Sequence, residues 1–436
     1  MKNVKILDCT LRDGGRLINC NFHDSVISAI SQGLCDANID IIEIGFLRGN
    51  KDYESNSTFF TELEQINKFI PKNKKNSEFV VFSDYGKQYG MWDFNRIKPK
   101  SECLIDGFRI GYRKESLQEA IKVFEIVKDN GYKLFIQGVE SLNYTDLEML
   151  RAIETINKIK PVSFGIVDTY GAMYKEDVLR FLSLLDHNLD PEIAIDFHSH
   201  NNMQLSFSFA QEIIENCRSS REIIIDATLC GMGKGAGNLN TELMVEYLNK
   251  KKNYNYNQDL VLDLIDEYIQ VVAENNKWGY SVHNFMAGIF SSHANNIDYL
   301  LGKHSLRTKD MRNIISRIEP EARKRYNYDN IEKIYSEYFS LKIDDSLAIS
   351  KLSEILNNKK VLIIAPGSSI TTYRDKIDTY IKNNDCIVIS VNHIEEDADL
   401  IFFGNQRKYD KFANQIKNKN IIVTSNIETK NEAIIY

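Results

Sequence analysis

Two short segments hold side chains that could bind a metal ion. His198 and His200 are two residues apart in the apolar run EIAIDFHSHN. Side chains at that spacing on a β-strand point the same way, so both imidazoles can reach one ion. Asp13 ends the first apolar run, ILDCTLRDGG, directly after Arg12. If the fold joins the segments, two imidazoles and a carboxylate form a divalent-cation site with positions open for substrate oxygens. Two hydrogen-bonded surface histidines are the alternative.

Polar residues also end the other apolar runs of the chain. Asp196 lies on the same side of its strand as His198 and is either a competing ligand or a partner that orients an imidazole. The remaining positions are Glu43, Asp84, Arg109, Gln137, Asp168 with Thr169, and the loop GMGKGAGN that contains Asn238. Burying so many ionisable groups without partners would cost several kcal/mol each, so we expect a polar cleft, a metal ion or both. For Asp84, Arg109 and Gln137, a structural ion pair is an equal alternative to substrate contact.

The elements that must position these residues alternate between β-rich runs and helical stretches from the first residue to about Lys250. The eight strand candidates are VKILDCT, IDIIEIGFL, EFVVFSD, GFRIGY, KLFIQGVE, VSFGIVDTYG, EIAIDFHSHN and REIIIDATLCG. Eight strand–helix units predict an α/β fold, the (β/α)8 TIM barrel, whose active site lies at the carboxyl ends of the strands. The helix after the third strand has the weakest pattern. A doubly wound open sheet is the alternative, but its G-x-G-x-x-G fingerprint does not follow the first strand.

Two further regions follow the predicted catalytic barrel of residues 1–255. Apolar residues recur at helical spacing in residues 256–357, which predicts a helical region that packs on or beside the barrel. Residues 358–436 restart a strand–helix alternation and predict a small Rossmann-like α/β domain of three or four parallel strands, complete or truncated. Its APGSSI turn could hold a phosphate on backbone N–H groups, although a plain turn is the simpler interpretation.

Composition is that of an ordinary globular protein, with 43% hydrophobic and 26% charged residues. The net charge of -7 and the lack of a basic tract argue against nucleic acid as a partner. No signal peptide and no membrane-length apolar run is readable, so we expect a cytoplasmic protein without a membrane partner. Seven cysteines without C-x-x-C spacing indicate thiols, not disulfides or a zinc knuckle.

The segments DCTLRDGG, DFHSHNN and GMGKGAGN, in this order and spacing, resemble the DRE-TIM metallolyase (HMGL-like) superfamily of metal-dependent aldolases, lyases and synthases. The resemblance covers about the first 300 residues and is closest to the 4-hydroxy-2-oxovalerate aldolase branch. It implies an enzyme that cleaves or forms a carbon–carbon bond of a 4-hydroxy-2-oxo acid through a metal-bound pyruvate enolate. The implied small-molecule partners are a 2-oxo acid and an aldehyde.

Carried over residue by residue, the resemblance implies that Asp13, His198 and His200 ligate the cation. The resemblance implies Mn²⁺ or Mg²⁺ as the metal. Oxygen and imidazole donors also accept Zn²⁺ or Co²⁺. Asn238 matches a position that can touch the metal or its ligands. The alternative is that Asn238 caps the helix that follows the glycine-rich loop.

The resemblance also implies which residues act on the substrate. Arg12 would steady the enolate oxygen, and Glu43 matches an acid that pairs with this arginine. Asp168 and Thr169 match a pair near the substrate carboxylate. A 2-oxo acid chelates a metal through its ketone and carboxylate oxygens, and a fixed guanidinium aimed at that ketone stabilises charge that appears only as the bond breaks.

The chain departs from the oxovalerate aldolases at Arg16, because they carry a histidine base three residues after the metal aspartate. An extra cation at this position would suit binding of a substrate with an additional carboxylate or phosphate. His23, Tyr280 and His293 are available as acid or base, but no motif fixes any of them near Arg12.

Three other functions stay open from the sequence. An acyl-CoA-dependent lyase or synthase of the same family is less favoured, because Gly15 and Arg16 do not supply its glutamate or glutamine signature. A two-His-one-carboxylate iron oxygenase fits the ligands but usually has a β-rich fold. A catalytically retired barrel could act as a binding scaffold. Apolar helix faces beyond the barrel are compatible with a homodimer.

Overall fold

The computed structural model describes residues 3–49, 52–218, 220–303, 306–339, 345–416, 420–424, 427, 429 and 434–435. The chain divides into two compact units, Met1–Ile334 and Tyr335–Tyr436. The first unit contains a barrel and the helices that follow it. The second contains a smaller parallel sheet.

Eight parallel strands close into a TIM barrel in the first unit, which confirms the predicted fold class. With one short additional strand, β3, the strands are β1 (Val4–Asp8), β2 (Ile41–Leu47), β3 (Phe59–Phe60), β4 (Glu78–Asp84), β5 (Gly107–Tyr112), β6 (Lys133–Gly138), β7 (Ser163–Asp168), β8 (Ala194–Ser199) and β9 (Ile223–Ala227). Strand β1 pairs with both β2 and β9, which closes the ring, while β3 pairs only with β2.

Alternation along the strands divides the barrel interior into layers. A buried apolar cluster includes Leu7, Ile41, Val80, Phe135, Ala194 and Ile224. Residues two positions further along lie on the same face of their strands. In four of the six strands these next residues are Glu43, Gln137, Asp196 and Asp226, all buried. The interior therefore changes from apolar to polar toward the carboxyl ends of the strands, and His198 lies one further step along β8.

Helices surround the barrel because each has one apolar face to bury. For example, the helix that begins after Thr145 buries Met149, Ile153 and Ile156, and a capping box between Thr145 and Glu148 fixes its start. The helices are α1 (Asp24–Asp36), α2 (Leu63–Asn67), α3 (Leu117–Asp129), α4 (Asp146–Ile159), α5 (Lys175–Asn188), α6 (Ser206–Asn216) and α7 (Thr241–Lys252).

The segment between β4 and β5 departs from regular strand–helix alternation, where the sequence pattern was weakest. Residues 85–106 contain three short 3-10 turns and no α-helix. Trp92 is buried in this segment, and its indole N–H donates to the Thr61 carbonyl at 2.8 Å. Aromatic packing therefore covers this side of the barrel in place of a helix.

Helices dominate the segment after the barrel, as predicted. They are α8 (Gln258–Leu264), α9 (Gln270–Asn275), α10 (Val282–Ile289), α11 (Ala294–Leu301), α12 (Thr308–Arg317), α13 (Pro320–Arg323) and α14 (Tyr328–Phe339), with a π-helical turn at Ile265–Ile269 between α8 and α9. Three of them matter for the site, because Ala287 of α10, residues at the start of α11 and residues after α13 line the cavity described below.

The second unit contains a five-stranded parallel sheet in the order β10–β11–β12–β13–β14. Its elements are α15 (Ser346–Leu356), β10 (Lys360–Ile364), α16 (Ser368–Thr372), α17 (Arg374–Asn383), β11 (Cys386–Val391), β12 (Leu400–Phe403), α18 (Gln406–Phe412), β13 (Asn420–Val423) and β14 (Ile434–Ile435). Three or four parallel strands were predicted here and β10 to β13 are present, whereas the two-residue strand β14 was missed because it is too short to show a pattern.

All seven cysteines are free thiols, as their spacing predicted. Across the described part of the chain, we find no helix with the length and apolar character needed to span a membrane.

Candidate metal centre and active site

The turn after β1 holds Arg12 and Asp13 at the carboxyl end of the barrel. The N–H of Asp13 donates to the Cys9 carbonyl at 2.8 Å, and the N–H of Gly15 donates to the Thr10 carbonyl at 2.8 Å. The Thr10 hydroxyl accepts the Leu229 N–H at 2.8 Å, which ties the turn to the segment after β9. The backbone of the turn is therefore fixed from both sides.

Glycine is required in this turn for close packing. A Cβ atom at Gly15 would lie 2.8 Å from the ring of Phe22, and one at Gly14 would lie 3.3 Å from the Met232 carbonyl oxygen. Larger residues would push the turn away from these neighbours and move Asp13 with it.

Asp13, His198 and His200 converge on one point. The Asp13 Oδ2 atom lies 3.7 Å from His200 Nε2 and 3.9 Å from His198 Nε2. One ligand atom from each residue lies within 4.8 Å of the others, and the two imidazole rings meet edge to face at 5.3 Å. We call these three residues the triad. Their spacing allows all three to bind one cation.

The charge state of the triad also suits a cation. Burial lowers the pKa of both His198 and His200 to about 4, so the imidazoles are neutral and keep a lone pair at pH 7. Burial alone would raise the pKa of Asp13, but the positive charge of Arg12 holds it well below its usual value. His198 Nδ1 is 2.8 Å from Asp226 Oδ2, which leaves Nε2 as the ligand atom.

Asn238 is placed beside the triad by the glycine-rich loop. Its backbone forms a bridge with His200, and its side-chain N–H donates to the Met232 carbonyl at 3.1 Å. The Asn238 Oδ1 atom is buried and has no hydrogen-bond partner among the described residues. Gly237, at φ 74°, allows the loop to approach, since a Cβ there would lie 2.0 Å from the Gly231 carbonyl oxygen. A buried, unpaired amide oxygen on a residue that bridges to His200 is a donor type that a divalent cation accepts.

A second group of donor atoms, Cys9, His198 and Asp226, is less suited to an ion. Asp226 Oδ2 already accepts from Arg109 at 2.5 Å and contacts His198 Nδ1. The Cys9 thiol donates to the Ala227 carbonyl, and burial raises its pKa well above the usual value. The thiolate that a metal requires is therefore disfavoured.

Arg12 lies directly beside the triad. Its Nη1 donates to Asp13 Oδ1 at 2.6 Å and its Nε donates to Glu43 Oε2 at 2.5 Å. The guanidinium lies over the Phe82 ring, 4.4 Å from the centroid. These contacts hold the guanidinium rigidly in a chamber of about 90 Å³ that the triad also lines.

Arg109 lies beneath the site and lines neither cavity of the active-site face. It contacts Glu43 at 3.1 Å, Asp196 at 3.3 Å and Asp226 at 2.5 Å. Gln137 donates to Asp196 at 2.6 Å in the same layer. Arg109 therefore forms structural ion pairs and does not make the predicted substrate contact. Asp196 supports this layer and is not in the triad.

Replacing Arg109 by methionine should strongly destabilise the barrel. The variant leaves Glu43, Asp196 and Asp226 without their shared counter-ion, and breaking a buried pair costs about 3–5 kcal/mol. The loss should be smaller at pH 5.5 than at pH 7.5, because protonation removes the unpaired charge. Denaturant unfolding followed by tryptophan fluorescence measures this.

The control for that measurement is Arg180→Met, which removes the cation of an exposed ion pair with Asp146. It should change the free energy of unfolding by less than about 1 kcal/mol. An Arg109→Met variant as stable as this control would contradict the assignment of Arg109 as a buried counter-ion.

Asp168 and Thr169 have different environments although they are adjacent. The Asp168 carboxylate accepts the N–H groups of Ala172 at 2.8 Å and Met173 at 3.1 Å, and burial raises its pKa to about 7. It therefore organises the loop after β7 and lines neither cavity. Thr169 lines both the chamber and a larger outer cavity, and its hydroxyl accepts the Glu140 N–H at 2.8 Å.

The outer cavity has a volume of about 540 Å³ and shares Asp13, Arg16, Asp84, Arg113, Thr169 and His200 with the chamber. Arg16 is 46% exposed at its side chain and lies 3.7 Å from Asp13. Asp84 pairs with Arg48 at 3.2 Å. The two spaces are adjacent, so one ligand could occupy both.

Of the three acid–base candidates, His293 lines the outer cavity. His23 caps α1, where its Nδ1 lies 2.7 Å from Ser25 Oγ. Tyr280 is 55% exposed and is not among the residues that line either space.

Several cavity residues were missed from the sequence. Arg48 and Arg113 directly follow β2 and β5, so the strand-end rule that selected Asp84 would also have found them. Lys324, Arg325 and Tyr326 follow α13, and no sequence pattern ties that segment to the barrel.

Comparison with known proteins shows what the barrel is similar to. Residues 97–272 match the HMGL-like family, a stretch that includes His198, His200 and Asn238. A 4-hydroxy-2-oxovalerate aldolase from Geobacillus genomosp. 3 is 25% identical over 256 residues, which is 57% of this chain and 71% of the relative. A homocitrate synthase from Pyrococcus horikoshii is 26% identical over 274 residues, 62% of this chain and 71% of the relative.

Solved structures share the fold. The N-terminal domain of a protein from Bacteroides vulgatus, provisionally described as an aldolase, aligns with TM-score 0.56 and 22% identity over 69% of this chain and 97% of its own. The carboxyl transferase domain of Rhizobium etli pyruvate carboxylase aligns with TM-score 0.56 and 12% identity over 86% of this chain and 65% of its own. The match of residues 97–272 to the HMGL-like family model confirms the resemblance found in the motifs.

Proposed function

We propose that the barrel is a divalent-metal-dependent aldolase that cleaves or forms the carbon–carbon bond of a 4-hydroxy-2-oxo acid. The observation that supports this most directly is the convergence of Asp13, His198 and His200 with the Arg12 guanidinium beside them in one chamber. The 4-hydroxy-2-oxovalerate aldolases among the similar proteins support the same reaction class.

The triad would hold the cation, with the Asn238 amide oxygen available beside it. The cation would supply Lewis acidity to the ketone and carboxylate oxygens of the 2-oxo acid. Arg12 donates from Nε to Glu43 and from Nη1 to Asp13. Its Nη2 would therefore be the donor to the ketone oxygen. Because these carboxylates hold the guanidinium in place, it needs no reorganisation as negative charge develops.

The cleavage balances without an oxidant or a reductant. The C4 hydroxyl gives its proton to a solvent water, the C4–O bond becomes a carbonyl, and the C3–C4 bond breaks. Its electron pair moves to C3 and is shared with the C2 oxygen as the pyruvate enolate, which Arg12 stabilises. A proton taken up at C3 completes pyruvate, and the aldehyde leaves. Bond formation is the reverse of these steps.

His293 is proposed as the hydrogen-bond donor to the C4 oxygen. Its Nδ1 accepts the Asn295 N–H at 3.1 Å, so the neutral ring carries its proton on Nε2. Burial, together with nearby cations that include Arg16, lowers the pKa of His293 to about 3, which keeps the ring neutral at pH 7. A neutral imidazole can polarise a carbonyl through its N–H.

His293→Asn should lower kcat about 100-fold, the usual effect of losing one preorganised donor. Asparagine keeps an acceptor for the Asn295 N–H and is a good N-cap, so α11 should stay folded. Steady-state pyruvate release measures the effect. His187→Asn is the control, because His187 is exposed on α5. Unchanged kcat in His293→Asn would contradict the proposed donor.

The homocitrate synthase relatives support a second candidate, an acyl-CoA-dependent reaction of the same family. Both candidates begin with an enolate, but they differ in which reactant forms it. The experiment therefore follows pyruvate by itself.

The deciding experiment is exchange of the pyruvate methyl protons in D2O, followed by NMR on the full chain. We expect exchange with Mn²⁺ and no exchange after chelation, with release of pyruvate from 4-hydroxy-2-oxo acids under the same conditions. Metal-dependent chemistry on an acyl-CoA without pyruvate exchange would favour the second candidate. Oxygen consumption would indicate an oxygenase, and no chemistry with any of these reactants would indicate a scaffold.

A further inference from the structure

The outer cavity is cationic although the chain has a net charge of -7. The acidic residues that line it are Asp13, Asp84 and Glu140. Twice as many basic residues line it, namely Arg16, Arg48, Arg113, Lys234, Lys324 and Arg325. A cation on the triad would add further positive charge, so this cavity concentrates a positive field at the active site.

Two of these arginines have buried hydrogen-bond donors that the described residues leave without an acceptor. Arg113 Nε and Nη1 are buried without a hydrogen-bond acceptor among the described residues, and so is Arg48 Nε. The nearest acid to Arg113 is Glu140, at 3.5 Å, and this carboxylate is already engaged by Arg325 at 2.5 Å. The charge of Arg113 is therefore compensated only weakly by its neighbours, and an anionic ligand that meets the guanidinium from the cavity can compensate it.

Arg113 is also held in place before any ligand binds. Its guanidinium stacks on the Tyr89 ring, 3.6 Å from the centroid. Arg113 lines both the chamber and the outer cavity, as does Arg16. An anion bound by these two arginines would therefore occupy the space that the triad also lines.

We propose that the aldehyde half of the substrate carries an acidic group, a phosphate or a carboxylate, which Arg113 and Arg16 bind in the outer cavity. Planar guanidinium groups bind both kinds of oxyanion through paired N–H donors. This inference rests on the proposed aldolase function for its second reactant, whereas the anion site itself can be tested without catalysis.

The binding test uses calorimetry on the full chain with three unreactive probes: glycerol 3-phosphate, glycerate and glycerol. We expect the phosphate, the carboxylate or both to bind and glycerol not to bind, and the tighter of the two identifies the acidic group. Arg113→Met should weaken binding at least about tenfold, the effect of losing one charged hydrogen bond. Arg16→Met, which changes a half-exposed side chain, gives a second variant that should fold normally.

Arg180→Met, outside both cavities, is the control and should bind the probes like the unchanged chain. Equal affinity for all three probes, or unchanged binding in both Arg113→Met and Arg16→Met, would overturn the proposal.

The catalytic test compares aldehydes as partners of pyruvate. Glyceraldehyde 3-phosphate or tartronate semialdehyde should exceed glyceraldehyde in kcat/KM by about 100-fold or more, as expected when a charged group fills a site built for it. Pyruvate exchange with a preference for the neutral aldehyde would overturn the anion site and leave the aldolase proposal standing. Anion binding lost in Arg113→Met, without pyruvate exchange, would support the site and contradict the aldolase proposal.

Discussion

Replacing Asp13 by asparagine is expected to remove tight metal binding and to lower the turnover of a 4-hydroxy-2-oxo acid by about 1,000-fold or more. Asparagine has nearly the same shape, so the change mainly removes the negative charge that faces the two imidazoles. Changes outside the ligand shell already cost 10–100-fold in metal affinity, so loss of a charged ligand should cost more than about 100-fold. Several kcal/mol of Lewis-acid stabilisation correspond to about three powers of ten in rate.

Two measurements separate this effect from misfolding. Calorimetric titration with Mn²⁺ gives the affinity, and thermal unfolding without metal shows whether the barrel is intact. The Asp146→Asn variant is the control, because Asp146 lies in an exposed ion pair with Arg180. Asp13→Asn protein that binds Mn²⁺ as tightly as the control would show that the triad is not the metal centre.

Arg12→Lys should lower kcat by 100- to 1,000-fold, the range found when one donor to a developing oxyanion is lost, in order of magnitude about 3–4 kcal/mol. Lysine keeps the positive charge that Glu43 and Asp13 need, so the buried carboxylates retain a counter-ion. Lysine has a single nitrogen. The planar guanidinium of Arg12 contacts both carboxylates with two nitrogens and still has a third for the substrate. The Michaelis constant should change much less than kcat, because the interaction strengthens as charge develops.

The matched control is Arg180→Lys, an identical substitution on the barrel surface. Single-turnover cleavage and pyruvate methyl exchange report the enolate step directly. A kcat within about threefold of the control value would exclude Arg12 as the enolate-stabilising group.

The sequence predicted the fold and the triad because both depend on local patterns. Two-residue spacing determined that His198 and His200 share a face, and the strand–helix alternation placed their strand end near that of β1. In the structure both imidazoles lie within 4 Å of Asp13 Oδ2, at 3.7 and 3.9 Å. The period of the strands and the closure of the barrel predicted this convergence, whereas the choice of Asp13 over Asp196 as the third ligand rested on the family resemblance.

The direction of individual side chains was harder to predict. Arg109 and Asp168 both lie on barrel strands. Arg109 contacts the buried carboxylates beneath the site, whereas Asp168 accepts hydrogen bonds from the loop that follows its own strand. This difference depends on which residues the neighbouring strands place in the same layer, and on loop backbone that supplies N–H donors. The spacing within one strand does not contain that information.

The contribution of the helical region could not be predicted for a different reason. His293 and Arg325 reach the outer cavity from segments that are distant in sequence from the strands they face. Tertiary packing of amphipathic helices places them, and such helices can pack in several ways with the same apolar pattern.

The triad lies across the seam where the barrel closes. Asp13 follows β1 and the two histidines end β8 and follow it, while β9 lies between these strands. A bound ion would therefore connect β1 with β8 across β9, that is, strands from opposite ends of the barrel sequence. No shorter run of strands contains the complete site, so a chain still being synthesised cannot capture the ion tightly until the ring has closed. An ion at 100 times its dissociation constant would then stabilise the closed ring by about 2.7 kcal/mol, and it would oppose separation of the first strand from the last.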